Sequence, residues 1–160
     1  MNDKLFYEEV AEGTEHVSSG RTVTEADVVN FAGLSADFNN MHIDEEFAKN
    51  TVFKTRVAHG MCVASIATGL WFTMPRLATI AFMGLQDWKF KDAVFPGDTI
   101  KINRKLVEKK EHKRPNMGFL NWEVNVVNQD DKGVQTGVWV RLVQRLSLIH
   151  ISEPTRLQCI

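Results

Sequence analysis

Residues 60–72 read GMCVASIATGLWF, apolar or small at almost every position, and beyond Pro75 the apolar repeat shortens to two. An apolar run with no polar stripe predicts a central helix buried on all sides, with Ala58, Gly60, Ala64, Ser65, Ala67 and Gly69 small enough to let a sheet approach. Trp122, Val124 and Val126 then alternate with Asn121, Glu123 and Asn125, and Val134, Thr136, Val138, Val140 and Leu142 with polar or small neighbours. This is the pattern of half-buried antiparallel strands. The polar turn 128–133 joins two of them, and Pro96-Gly97-Asp98 turns the chain into another, 99–107. Ahead of the central helix, residues 13–23 predict a strand. Thr24, with Asp27 three later, predicts a cap for the helix carrying Val28, Val29, Phe31 and Ala32. Asp44 caps a short helix over 45–49, and a loop over 51–58 leads to the central one. Helices followed by a run of strands give an α+β fold, an antiparallel sheet wrapped around one long helix.

Composition narrows the class. With 160 residues, 44% of them apolar, the chain has material for one core, and the pattern places a single domain over 1–145. Nineteen basic residues against twenty acidic ones give no broad field to attract nucleic acid or a membrane surface. No apolar run reaches the length of a membrane span, and MNDKLFYEEV lacks the apolar centre of a signal peptide, so the expectation is a cytoplasmic protein acting on a small molecule. Cys62 and Cys159 are too few and too far apart for a disulfide framework or a metal knuckle, so Cys62 is expected as a buried free thiol. The histidines, His16, His42, His59, His112 and His150, show no ligand spacing, and no metal is expected. The basic run 104–114 reads as a solvated strand end and hairpin, with contact to phosphates as its functional alternative. Trp71, Phe72, Met74, Phe82 and Met83 read as core, with an acyl tunnel as the alternative. From Leu146 onward the chain (LSLIHISEPTRLQCI) breaks pattern and resembles a translated sequencing adapter, so 146–160 is expected to be a non-native tail.

The candidate chemistry lies in 34–44, LSADFNNMHID, and in the turn Ala58-His59-Gly60. Asp37 and His42 stand five apart in a stretch dense in turn formers, so one loop can aim an acid and a base at a single water molecule. Gly60 opens the apolar helix, whose first N–H groups are unpaired and suit a developing oxyanion. The segment Asp37-Phe38-Asn39-Asn40-Met41-His42 resembles the signature of the MaoC-like family, the R-specific enoyl-CoA hydratases with a hot-dog fold. Asn40 stands where that signature has proline, which exchanges a fixed backbone angle for a free N–H. The resemblance extends over roughly residues 6–143, through the His59-Gly60 turn, the apolar helix and 88–98 (WKFKDAVFPGD).

The resemblance implies reversible addition of water to a trans-2-enoyl thioester of coenzyme A or an acyl-carrier protein, giving an (R)-3-hydroxyacyl thioester. It implies no cofactor, and at least a homodimer. Asp37 and His42 hold the water, and the Gly60 N–H binds the thioester oxygen. Asn39 orients the loop or the thioester. His59 lies on the substrate side, fixing the start of the helix. Thr68 occupies a position where relatives carry a small hydroxyl facing the site, against the common case of a helical Thr bonded to its own backbone. Two alternatives stay open, a hot-dog acyl-CoA thioesterase and a non-catalytic acyl-CoA-binding dehydratase subunit.

Overall fold

A serine side chain breaks the first strand. In the computed structural model, which describes residues 4–146, the region expected as one strand over 13–23 is two, β2 (Glu15–Val17) and β3 (Arg21–Thr22), after a short β1 (Lys4–Leu5) and a 3₁₀ turn, Tyr7–Glu9. Ile102 N donates to Ser18 Oγ at 2.9 Å, and Ser18 N donates to Ile102 O at 2.9 Å. A side-chain oxygen thus replaces a backbone carbonyl in the ladder, and regular pairing stops there.

The helices start where their caps predict. α1 (Glu25–Ser35) opens on a capping box in which Asp27 N donates to Thr24 Oγ1 and Thr24 N donates to Asp27 Oδ2. It ends on Ala36, whose φ of 58° is left-handed and turns the chain sharply into Asp37. α2 (Asn40–Ile43) and α3 (Glu45–Ala48) are single turns capped by Asn39 and Asp44. α4 (Gly60–Leu70) is the central helix, continued by a 3₁₀ turn, Trp71–Thr73, ahead of Pro75.

Strands fill the rest of the described chain: β4 (Arg76–Leu77), β5 (Thr79–Phe90), β6 (Thr99–Glu111), β7 (Met117–Val127) and β8 (Gly133–Gln144). The sheet runs β2-β6-β7-β8-β5, every pairing antiparallel, with β3 also on β6 and a separate parallel pair β1-β4. Its inward face, with Ile100, Ile102, Leu106, Trp122, Val124, Val126 and Trp139 all fully buried, wraps Cys62, Val63, Ile66, Ala67 and Leu70 of α4. This is the α+β hot-dog arrangement expected. Cys62 is the buried free thiol expected, and burial pushes its pKa up to about 11.

Four expectations are corrected. The apolar face of β8 was read as Val134, Thr136, Val138, Val140 and Leu142, but the register sets Gln135, Gly137, Trp139 and Arg141 opposite the inward Val126, Val124, Trp122 and Leu120. Directly opposed residues share a face, so the polar and small set points inward and the valines largely outward. Second, α4 is not buried all round. Met61, Ser65 and Gly69 form an exposed stripe, extended by Phe72, because one chain's sheet covers only part of the helix. Third, Trp71 and Met74 are core, but Phe72, Phe82 and Met83 are exposed.

Fourth, β6 continues past Val107 to Glu111, and the basic run 104–114 is only in part a solvated hairpin. Arg104 is buried, its guanidinium 4.1 Å from the Trp71 ring and 4.7 Å from the Trp122 ring, with Nη2 donating to Pro75 O. Burial holds this group down at about 10. Lys109 Nζ donates to Tyr7 O and Val10 O, tying the N-terminal 3₁₀ turn to the sheet. The tail expected over 146–160 lies, apart from Leu146, outside the described residues, as do His150 and Cys159. Among the described residues no helix is long and apolar enough to cross a membrane.

Candidate active site

A chain of local hydrogen bonds builds the loop that carries Asp37 and His42. After the left-handed Ala36, Asp37 Oδ1 accepts from Asn39 N at 3.3 Å. Asn39 Oδ1 accepts from Met41 N at 3.1 Å and caps α2. Asp44 Oδ1 accepts from Phe47 N at 3.0 Å and caps α3. Each short side chain substitutes for a backbone partner, so a stretch with almost no regular structure is still held in one shape. Asn39 therefore orients the loop, and it is not among the residues lining the cavity.

α2 points His42 inward, where it is 8% exposed. Its Nδ1 lies 2.7 Å from Val57 O. A carbonyl only accepts, so Nδ1 is the donor, and in the neutral ring Nε2 is then the nitrogen with the lone pair. The support is fastened from both sides, since Val57 N donates to Met41 O at 3.1 Å and Ala58 N to Val94 O at 2.8 Å.

His59 is buried and stacks on His42 with ring centroids 3.7 Å apart. Its Nε2 donates to Asp37 O at 2.9 Å, while its Nδ1 is buried without a partner. One ring thus grips the backbone of Asp37 and covers the face of His42. Ligand-type atoms of Asp37, His42 and His59 all lie within 4.8 Å of one another. The planes of the two imidazoles are only 27° apart. In-plane lone pairs of stacked rings run side by side rather than converging, which suits a proton-transfer pair better than the directed donors of a metal site.

Gly60 is the first residue of α4. Val63 N donates to His59 O, so the N–H groups of Gly60, Met61 and Cys62 precede the first intrahelical bond. They form the positive end of the helix dipole. A Cβ at Gly60 would stand 2.8 Å from two carbons of the Phe90 ring, so glycine is required for this approach. Asp37, His42, His59 and Gly60 all line one cavity of about 690 Å³, whose apolar walls include Phe31, Met41, Phe53, Val63, Phe90 and Val94.

Thr68 is not brought to this site. It is absent from the cavity lining, and its Oγ1 donates to Ser65 O at 2.7 Å, the self-bonding alternative noted from sequence. The basic hairpin end is also remote. Gln135 of the cavity pairs with Val126, whereas Glu111 pairs with Gly118, and eight residues of strand separate those two β7 positions by roughly 26 Å. Phe90, Val94 and Gln135 were missed by sequence reasoning. The signal for Gln135 was its place two and four residues before Gly137 and Trp139 on the true inward face of β8.

The chain is 38% identical over 99 residues to Protein MaoC of Klebsiella aerogenes, covering 62% of this chain and 30% of that protein. It is 41% identical over 96 residues to a Rhodospirillum rubrum protein named (R)-specific enoyl-CoA hydratase, covering 59% of this chain and 65% of the relative. The chain thus spans less than two thirds of either relative's length. A solved structure from Archaeoglobus fulgius, described as monoamine oxidase regulatory protein, superimposes with a TM-score of 0.83 at 35% identity, covering 90% of this chain and 97% of the other. The family described as MaoC like domain matches residues 8–128, and the chain belongs to that family.

Proposed function

We propose that this protein catalyses reversible hydration of a trans-2-enoyl thioester to an (R)-3-hydroxyacyl thioester. The observation that carries the reading is the bond from His42 Nδ1 to Val57 O, which makes Nε2 the acceptor nitrogen of the neutral ring, with His42 set beside Asp37 in a cavity that opens at the N-terminus of α4. The likeness to the Rhodospirillum rubrum relative supports it.

A water held between Asp37 and His42 attacks C3. His42 Nε2 takes its proton, and Asp37 in its acid form delivers a proton to C2. The new C3–O bond forms as the C2=C3 pair moves to C2 and onto the thioester oxygen, where the Gly60 N–H opposes the developing negative charge. One such donor contributes roughly 3 to 4 kcal/mol to the transition state. After turnover the proton passes from His42 back to Asp37, a short route because the two groups lie within 4.8 Å. Both protons and the nucleophile come from water and these two side chains, so the reaction needs no cofactor and no metal.

The substrate is an acyl thioester of coenzyme A or an acyl-carrier protein, and the working form is at least a homodimer in the cytoplasm. A dimer is supported by the outer edge of β5, unpaired among the described residues, and by exposed Ile80, Phe82, Met83 and Leu85 along that strand. The test follows crotonyl-CoA by absorbance of the enoyl thioester together with a free-thiol assay. Loss of the band without thiol release is expected. Thiol release would replace this reading with a thioesterase.

A further inference from the structure

Gln135 is a buried, half-satisfied polar side chain in the wall of the candidate site. It is 2% exposed, it lines the cavity, and its Nε2 donates to Gly60 O at 2.9 Å while its Oε1 has no partner. Neither fact is explained by folding alone. Gly60 O belongs to the first turn of α4, where the helix itself supplies a donor, so the extra bond is not needed to satisfy that carbonyl. An acceptor left unpaired in the interior is a net cost, and an apolar side chain of the same length would avoid it. Gln135 reaches the start of α4 from β8, where it is paired with Phe90 on β5 and Val126 on β7.

We propose that Gln135 is the positioning residue of the thioester-carbonyl site, fixing the peptide between Gly60 and Met61 so that the Met61 N–H joins the Gly60 N–H as a second donor to the substrate oxygen. The carbonyl of Gly60 and the N–H of Met61 belong to one planar peptide. A bond to the oxygen therefore sets the direction of the N–H and polarises it. Phe90 closes the other side, its ring so near the Gly60 Cα that a Cβ would meet it at 2.8 Å. The peptide is thus held at its oxygen by Gln135 and at its α-carbon by Phe90. Donors fixed in advance act on the charge that grows in the transition state, so their loss lowers kcat rather than raising KM.

This rests on the hydratase reading, and the experiment separates the two. Crotonyl-CoA hydration is measured for the wild type, Gln135→Met and Gln135→Glu between pH 8 and about pH 5, with thermal unfolding of each. Gln135→Met keeps the length, removes the donor and relieves the unpaired acceptor, so its kcat is expected to fall by up to about a hundredfold with KM unchanged and the melting temperature no lower than wild type. Gln135→Glu places a carboxylate without a proton against Gly60 O at pH 8. Its rate relative to wild type is expected to climb as pH falls and the carboxyl regains an O–H to donate. A Met variant with wild-type kcat overturns the proposal, as does a Glu deficit that stays flat with pH. A wild type that leaves the enoyl band intact is a different failure, that of the hydratase reading itself.

Discussion

Gly60 shows how much a single missing methyl group decides. Its hydrogen atom lets the Phe90 ring close over the start of α4, and the ring is half exposed, so it can swing aside if forced. Gly60→Ala is therefore expected to act on chemistry more than on stability. Alanine in a helix is favoured over glycine by roughly 0.5 to 1 kcal/mol, offsetting much of the cost of moving the ring. Melting temperature should change little, while hydration of crotonyl-CoA falls by up to about a hundredfold as the donors shift. Thermal unfolding and rate on the same sample check both halves. At this scale spacing and residue type brought forward Asp37, His42 and Gly60 as candidates, and the fold sets all three around one cavity with Gly60 at the start of α4. The sequence did not show which nitrogen of His42 is the donor, since that depends on Val57 O, fifteen residues away. For Thr68 the sequence left two readings open, and the structure takes the commoner one, with its hydroxyl bonded to Ser65 O.

The loop 37–44 behaves as an element of its own, a series of caps rather than a stretch of coil. Asn40 sits at the first position of α2, where the N–H has no helical partner, and Asn39 before it has φ −58° and ψ 131°. Those angles are what a residue preceding proline adopts, and the first helical position accepts proline well. Asn40→Pro is expected to stabilise the fold by about 0.4 to 1 kcal/mol through the unfolded chain. Activity should be retained, because Asn40 touches neither Asp37 Oδ1 nor His42 Nδ1. Chemical denaturation with a matched activity assay checks this, and a destabilised or inactive variant would show that the N–H of Asn40 has a role. The caps at Thr24 and Asp44 were legible because each acts within three residues of itself, whereas the single turn α2 and its cap Asn39 were not read from the sequence. Nor was the phase of β8. Its valines form the more apolar alternation, yet pairing of Trp139 with Trp122 turns Gln135 and Arg141 inward. Cross-strand register outweighed composition, and Gln135 went unseen for that reason. Arg104 misled in the same way, since a charged residue is read as exposed until the Trp71 and Trp122 faces that cover it are known.

At the scale of the whole molecule, two apolar surfaces lie uncovered: the stripe Met61, Ser65, Gly69 and Phe72 along α4, and the edge strand β5. The sequence read α4 as buried on every side, and the chain's own sheet covers only part of it. In the proposed dimer a second copy supplies the missing cover. Sedimentation is expected to give a dimer, and Met83→Asp combined with Phe72→Asp to give a folded monomer, because two charges on a desolvated contact oppose association by more than their apolar partners favoured it. A monomeric wild type would contradict this. The central claim is that Asp37 and His42 act as one proton-transfer unit on an enoyl thioester. Its most direct test is the hydration rate of crotonyl-CoA for wild type, Asp37→Ala, His42→Ala and the double variant. Each single substitution is expected to cost about 10²- to 10⁴-fold, with the double variant no worse than the weaker single, as for residues that work as a unit. A single variant that keeps the wild-type rate would contradict the account.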